Sequence, residues 1–302
     1  MKQINSKYRK ILILGASGFV GRSLIEYYLK HNLRTSHIYS ISRKEFRIKN
    51  KSSILYKQIN KNILDVKKFP QIDLIFYLIK ANNIKQSKKY FIKFKNLLGM
   101  LKTKPKILYF SSGAVYGNIH KKSETKESIT TPNKNINYLK GYKKEYALEK
   151  IYLEDKFKEL SFNDYKISIV RGFTFLGKHI LNYNYAISGI LKAINLNKSI
   201  ELYNNNTFRS YMHSDDMCRW MIKIIDSSSK KINIYNLGSD KILNLRNLCK
   251  FLSKKYRTKF IYKRNIKNKV DFYVPNTNLA KKKLNLSTKI NFENAIELSL
   301  GK

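Results

Sequence analysis

The sequence predicts the α/β class, a doubly wound parallel sheet joined to a smaller mixed lobe. Three observations support it. The apolar run Ile11-Leu12-Ile13-Leu14 leads directly into Gly15-Ala16-Ser17-Gly18-Phe19-Val20-Gly21, a G-x-x-G-x-x-G turn, and then into apolar residues at helical spacing. Further short apolar runs alternate with helical stretches, which implies parallel strands joined by crossover helices. The run Leu74-Ile75-Phe76-Tyr77-Leu78-Ile79 is apolar throughout, as expected of a strand buried on both faces.

The elements follow in order. Residues 2–10 are a polar, basic lead-in. The first unit is a strand over 11–14, a turn over 15–21 and a helix from Arg22 to His31. Helix N-termini present unpaired N–H groups and partial positive charge, so this unit suits a pyrophosphate. Gly15 permits the turn, Gly18 lets a phosphate approach the backbone, and Gly21 lets the helix pack against the sheet. Together they describe a Rossmann-type dinucleotide site. Strands are expected at His37–Ser42, Ile54–Ile59, Leu74–Ile79 and Ile107–Phe110, with a helix over Tyr90–Leu101. The stretch 118–137, which contains Pro132, is polar and loop-like. Beyond Ile167-Ser168-Ile169-Val170 the alternation loses regularity, and a substrate lobe fits there. Residues 1–172 and 205–240 are expected to form a dinucleotide-binding domain, and 173–204 with 241–302 a substrate-binding lobe.

With 302 residues and 43% hydrophobic content the chain can bury a large core, which excludes a disordered protein. No apolar run approaches the ~20 residues of a membrane span, and no signal-peptide pattern is visible. Cys218 and Cys249 make neither a disulfide framework nor a metal site. A cytoplasmic protein without a metal or a membrane partner is expected. The formal net charge of +41 raises nucleic-acid binding. Against it, the lysines are spread along the whole chain, which is also rich in Asn, Ile, Tyr and Phe, the products of A/T-rich codons. Drift at tolerant surface positions accounts for this pattern, so no nucleic-acid partner is expected. A positive field still draws in an anionic nucleotide.

The second strand ends Ser42-Arg43-Lys44, with no acid at its tip. An acid there would bind the adenine-ribose hydroxyls and repel a 2′-phosphate, whereas Ser42 and Arg43 can hydrogen-bond and neutralise one. NADP(H) is therefore expected over NAD(H).

The strand at 107–110 leads into Ser111-Ser112-Gly113-Ala114-Val115-Tyr116-Gly117. Later, Tyr146, Lys150 and Glu154 follow one another at four-residue spacing and share one helix face. A phenol, with an ordinary pKa of ~10, is a poor base near neutrality, and a neighbouring ammonium lowers that value. Ser112 would bind a substrate oxygen, Tyr146 would exchange its proton, and Lys150 would hold the nicotinamide ribose. Tyr142 stands four residues before another tyrosine and cannot make this pair.

The glycine turn, the Ser-Ser-Gly-Ala-Val-Tyr-Gly segment and Tyr-x-x-x-Lys, in that order, resemble the extended short-chain dehydrogenase/reductase family. Its members are nucleotide-sugar epimerases, dehydratases and ketoreductases. The likeness continues through Val170-Arg171-Gly172-Phe173-Thr174-Phe175-Leu176-Gly177, Phe208-Arg209-Ser210-Tyr211-Met212-His213-Ser214-Asp215-Asp216, Tyr235-Asn236-Leu237-Gly238 and Val274-Pro275-Asn276. The resemblance implies Ser112, Tyr146 and Lys150 as catalytic residues. It implies cofactor contacts at Gly15, Ala16, Ser17, Gly18, Phe19, Val20, Gly21, Ser42, Arg43, Asn62, Ile63, Leu78, Tyr146 and Lys150. Substrate contacts fall on Ser112, Gly113, Thr174 and Arg209, the guanidinium suiting a diphosphate. A homodimer through helices near 90–101 and 137–160 is the family expectation.

Gly113 and Ala114 follow Ser112 where family dehydratases carry acids, so elimination of water is disfavoured. Reduction of a 4-keto-6-deoxy nucleotide sugar in surface-polysaccharide biosynthesis is favoured, with nucleotide-sugar 4-epimerisation on a retained NAD as the alternative. Thr174 stands where the family often has Asn, Asn62 where it commonly has Asp, and Tyr77 with Ile79-Lys80-Ala81 where it has His and small residues. A non-catalytic dinucleotide sensor and an RNA-binding protein on the same fold are the rival classes.

Overall fold

The structure is a computed structural model that describes residues 9–127, 136–182, 185–202, 206–262 and 270–301. Most of the basic lead-in and residues 128–135, with Pro132, lie outside the described residues. The main strands are β1 (Arg9–Leu14), β2 (Thr35–Ser42), β3 (Leu55–Asn60), β4 (Leu74–Tyr77), β5 (Lys106–Ser112) and β6 (Ile167–Gly172). Short strands β7 (Phe175–Leu176), β8 (Ile200–Leu202), β9 (Thr207–Arg209) and β10 (Met212–His213) precede β11 (Asn233–Leu237). After it come β12 (Leu243–Asn244), β13 (Phe260–Tyr262) and β14 (Asp271–Tyr273). The helices are α1 (Phe19–His31), α2 (Ile84–Gly99), α3 (Gly141–Ser161), α4 (Ala186–Asn195), α5 (Ser214–Asp226), α6 (Leu245–Lys255), α7 (Asn278–Leu284) and α8 (Phe292–Leu300).

Seven strands form one parallel sheet in the order β11-β6-β5-β4-β1-β2-β3. The expected doubly wound sheet is therefore present. The strand order reverses between β1 and β4, which opens a crevice at their C-terminal ends. The two faces bury different residues because successive strand side chains alternate. Ile11 and Ile13 pack with α1 and α5, whereas Leu12 and Leu14 pack with α2 and α3. Smaller sheets, β10-β7, β12-β9-β14 and β13-β8, flank this core. Strand β9, which carries Arg209, pairs with both β12 and β14.

Several boundaries differ from the sequence reading. Helix α1 starts at Phe19, three residues before Arg22, because Gly18 is its extended N-cap. Helix α2 starts at Ile84 and not Tyr90, because the Asn83 side chain accepts the Gln86 N–H at 2.9 Å. Strand β4 stops at Tyr77, and β5 continues through Ser112, paired to β6 as far as Gly172.

A buried polar network ties the layers together. Glu154 and Arg171 are both fully buried. Arg171 Nε donates to Glu154 Oε1 at 3.0 Å and Nη2 donates to Oε2 at 2.7 Å. Ser111 Oγ donates to Glu154 Oε1 at 2.6 Å, and Arg171 Nη1 donates to the Tyr116 hydroxyl at 3.1 Å. The Tyr116 hydroxyl donates to Asn236 Oδ1 at 2.9 Å. Asn236 Nδ2 in turn donates to the carbonyls of Thr125 (2.6 Å) and Asn276 (2.8 Å). Burial opposes the Arg171 charge, but the Glu154 carboxylate outweighs it and raises the guanidinium pKa.

Removing one member leaves a buried charge uncompensated. Glu154→Ala is expected to lower stability by about 3–5 kcal/mol in urea denaturation. The double variant Glu154→Leu/Arg171→Met should recover most of that loss, since matched apolar residues need no partner.

Half-buried Glu127 accepts the Asn236 N–H at 3.3 Å. Loss of solvation pushes its carboxyl up to about 7, against the backbone donors of Asn236, Leu279 and Ala280 that favour the anion. Between the ordinary 4.5 and about 7 the folded chain holds a proton that the unfolded chain has released. Its contribution to stability therefore falls as pH rises through that window. Denaturation at pH values spanning it should show Glu127→Gln losing this downward slope relative to the native chain.

Candidate active site

The glycine turn is built for close approach. Gly15 has φ +81°, and a Cβ there would lie 2.6 Å from the Leu78 carbonyl oxygen on the neighbouring chain segment. A Cβ on Gly21 would lie 2.6 Å from Ala16 Cα and O. Both glycines are thus required by the protein itself. Gly18 differs: a Cβ there would meet only the Gly15 carbonyl, at an ordinary 3.4 Å. Space on its outer side, ahead of a helix whose first turn has no acid, fits the pyrophosphate of a dinucleotide. Ala16 and Phe19 are buried, and Ser17 and Val20 are half-buried along the turn. Ile63 is buried, and Leu78 is half-buried with its N–H donating to the Leu14 carbonyl at 2.9 Å.

At the end of β2 the Ser42 hydroxyl donates to the Lys44 carbonyl at 2.8 Å, and Arg43 is exposed. Behind them the Arg22 guanidinium sits 5.1 Å from the Phe46 ring centre. Asn62 caps a short helical turn by accepting the Leu64 N–H at 3.2 Å, and its amide lies 3.4 Å from the Tyr90 hydroxyl.

Helix α3 carries Tyr146 half-buried and Lys150 buried. The Lys150 ammonium lies 5.5 Å from the Tyr146 ring centre and 5.7 Å from that of Tyr109 on β5. A second ammonium, Lys80 in the β4–α2 connection, lies 5.7 Å from both the Tyr146 and Tyr142 rings. Partial burial opposes the Lys80 charge, yet hydrogen bonding to Tyr142 and attraction from Tyr142, Tyr146 and Tyr185 raise its pKa. Tyr142 stacks on Tyr146 with ring centres 6.0 Å apart. The departure at Lys80 thus lies against the candidate phenol. Glu154 shares the Tyr146 face but is consumed by Arg171.

Ser112 ends β5 and caps the following turn by accepting the Ala114 N–H at 3.2 Å. Its Oγ is 3.3 Å from the Tyr273 hydroxyl. Burial pushes the Tyr273 phenol well up; Ser112 opposes the shift and Tyr146 adds to it. Gly113 is needed because a Cβ would lie 2.6 Å from the Phe173 ring, which itself packs 4.7 Å from the Tyr273 ring. Thr174 donates its hydroxyl to the Ser210 carbonyl. Arg209 is turned toward β14: Nη1 donates to the Phe208 and Asp271 carbonyls, each at 2.9 Å, and Nη2 to Asp271 Oδ2 at 2.8 Å. Its guanidinium lies 5.9 Å from the Tyr273 ring centre.

Tyr273 therefore links Ser112 to Arg209, and sequence reasoning missed it. Its only signal was adjacency to Val274-Pro275; one tyrosine among 22 carries no other. Among the described residues no group of three or more His, Cys, Asp and Glu could hold a metal ion. No helix among them is long and apolar enough to cross a membrane.

Comparison with known proteins agrees with this fold. The model of the NAD dependent epimerase/dehydratase family matches residues 11–238. Among solved structures, UDP-N-acetylglucosamine 4-epimerase from Bacillus cereus shares 16% identity and a TM-score of 0.73, covering 97% of this chain and 96% of its own. UDP-glucuronic acid 4-epimerase from the same organism, in complex with UDP-glucuronic acid and NAD, gives 17%, 0.73, 97% and 98%. RMD from Pseudomonas aeruginosa, complexed with NADPH, gives 13%, 0.71, 97% and 98%. The search of curated proteins gave no match. The chain belongs to the NAD-dependent epimerase/dehydratase family, and it is an NAD(P)-dependent enzyme of that fold.

The glycine geometry gives a direct test. Gly18→Ala is expected to keep the native Tm within a few degrees while weakening NAD(P)H binding at least tenfold in fluorescence titration. Gly21→Ala should lower stability by about 1–3 kcal/mol, because its Cβ overpacks the turn.

Proposed function

We propose that this member of the NAD-dependent epimerase/dehydratase family performs redox chemistry on a nucleotide-activated sugar, reducing a 4-keto-6-deoxy sugar in surface-polysaccharide biosynthesis. The observation that carries the reading is the Lys150 ammonium 5.5 Å from the Tyr146 ring on one helix face. The bound dinucleotide would supply hydride. It would be held by the turn 15–21, by Ser42 and Arg43, by Asn62, Ile63 and Leu78, and by Tyr146 and Lys150. Ser112 would orient the sugar oxygen, and Tyr146 would deliver its proton there while Lys150 holds the phenolate that results. Arg209 would take the diphosphate with N–H donors that Asp271 leaves available, and Gly113 and Thr174 would border the sugar.

The acid-free tip of β2 supports NADP(H) over NAD(H). The alternative product, an epimerised sugar with the cofactor retained as NAD, draws support from the two 4-epimerases of like fold. A sensor or RNA binder would need no Tyr–Lys pair. Residues 1–172 and 205–240 would bind the dinucleotide, and 173–204 with 241–302 would form the substrate lobe. The exposed apolar side chains Ile92 on α2 and Leu148 on α3 support a homodimer through those helices. The two buried free thiols, Cys218 and Cys249, suit a reducing cytoplasm.

The test is incubation of the purified protein with NADPH and a panel of nucleotide sugars and their 4-keto derivatives. NADPH absorbance should fall only with a 4-keto sugar. Isomerised sugar without net cofactor loss would select the epimerase, and no turnover across the panel would remove the proposal. Tyr146→Phe should cut turnover by about 10²–10⁴-fold while cofactor affinity stays within a factor of two.

A further inference from the structure

We infer that Glu149 is a positioning residue for the Tyr146–Lys150 pair: its buried carboxylate holds the Lys150 ammonium and offsets its charge toward the phenol. This inference rests on the proposed chemistry of that pair. Glu149 is only 3% exposed, as is Lys150. Glu149 Oε2 lies 3.5 Å from Lys150 Nζ, close enough for an ion pair and too long for a hydrogen bond. That oxygen has no hydrogen-bond partner among the described residues. The other oxygen is fixed by Ser87 of α2, whose hydroxyl donates to Oε1 at 2.5 Å. A carboxylate anchored from a second helix therefore reaches the ammonium from the side, while the Tyr146 and Tyr109 rings lie 5.5 and 5.7 Å from the same nitrogen.

The physical consequence follows from charge. An ammonium without a counter-ion acts at full strength on a neighbouring phenolate in a poorly solvated site. Paired with Glu149, it acts at reduced strength but in a fixed place. Every element around the cluster contributes groups to this balance. On α3 these are Tyr142 and Glu154, and on the β4–α2 connection Lys80, 5.7 Å from the Tyr146 ring. On β4 and β5 they are the buried phenols Tyr77 and Tyr109, each pushed up first by burial and then by the Glu149 charge. On β14 it is Tyr273, whose phenol feels Tyr146. Ser87 is the donor from α2. Lys80 is thus a further cation against this phenol, and Glu149 is a buried carboxylate paired with Lys150.

The test uses the full chain labelled with [ζ-¹³C]tyrosine, without cofactor or sugar. The Tyr146 resonance is assigned by its loss in Tyr146→Phe, and its midpoint is followed against pH. Glu149→Gln should move that midpoint down by about one pH unit, since a negative charge leaves while the ammonium stays. Ser87→Ala should move it the same way by less, because the carboxylate loses the donor that fixes its place beside Lys150. Lys150→Met should move it up. An unmoved or raised midpoint in Glu149→Gln overturns the inference, as does an unmoved midpoint in Ser87→Ala should the glutamine variant fail to fold. An unmoved midpoint in Lys150→Met would instead remove the Tyr146–Lys150 pairing itself, and this inference with it.

Discussion

The Glu154–Arg171 ion pair is the constraint on which the site geometry depends. It joins the middle of α3 to the end of β6 in a region without solvent. Ser111 adds β5 to the same carboxylate. Ser112 is the next residue along that strand, and Lys150 is one helical turn before Glu154. A rotation of α3 that moved Tyr146 away from the end of β5 would have to break three charge-assisted hydrogen bonds in a dry interior. The pair is thus less a source of net stability than a device that sets register between helix and sheet.

Much of the fold was legible because its signals are local. The alternation of Ile11 and Ile13 against Leu12 and Leu14 assigns a strand and its two faces. The glycines at 15, 18 and 21 announce the turn because backbone sterics demand them nearby in sequence. Helix starts were less legible. Asn83 caps α2 seven residues upstream of the apolar spacing that had suggested a helix. The site was legible to the extent that Tyr146 and Lys150 sit one turn apart. Its remaining members arrive from afar. Ser87 is 62 residues from the Glu149 it anchors, and Tyr273 is 161 from Ser112. Nothing in local pattern or propensity reports such a pairing.

The charge balance has a counterpart inside the molecule. The chain has 61 basic and 20 acidic residues, so acids are scarce. Several of those few stand at internal joints. Glu154 receives Arg171, Glu149 receives Lys150, and Asp271 receives Arg209. Asp216, nearly fully buried, accepts the backbone N–H groups of Lys289 and Ile290 at 2.8 and 2.9 Å and so ties α5 to the C-terminal segment. Buried cations cannot tolerate the drift that surface positions can, because an unpartnered charge in the interior is costly. The excess lysine is therefore a property of the outside.

The pairing of β9 with β14 follows the same logic of pre-set donors. Arg209 has five N–H donors, and Phe208 and Asp271 take three of them among the described residues. An arginine held this way has lost its rotamer freedom before any anion arrives, so less is lost when one binds. The Asp271 carboxylate also tempers the guanidinium charge, which favours an anion that brings two or more oxygens over a single weak one. Tyr273 extends this order to the end of β5, since its ring lies near Arg209 and its hydroxyl near Ser112. One strand, β14, thereby couples the place where a diphosphate would be gripped to the serine where a sugar oxygen would rest. On the proposed function, the position of β14 would then set the substrate length from diphosphate to reacting carbon.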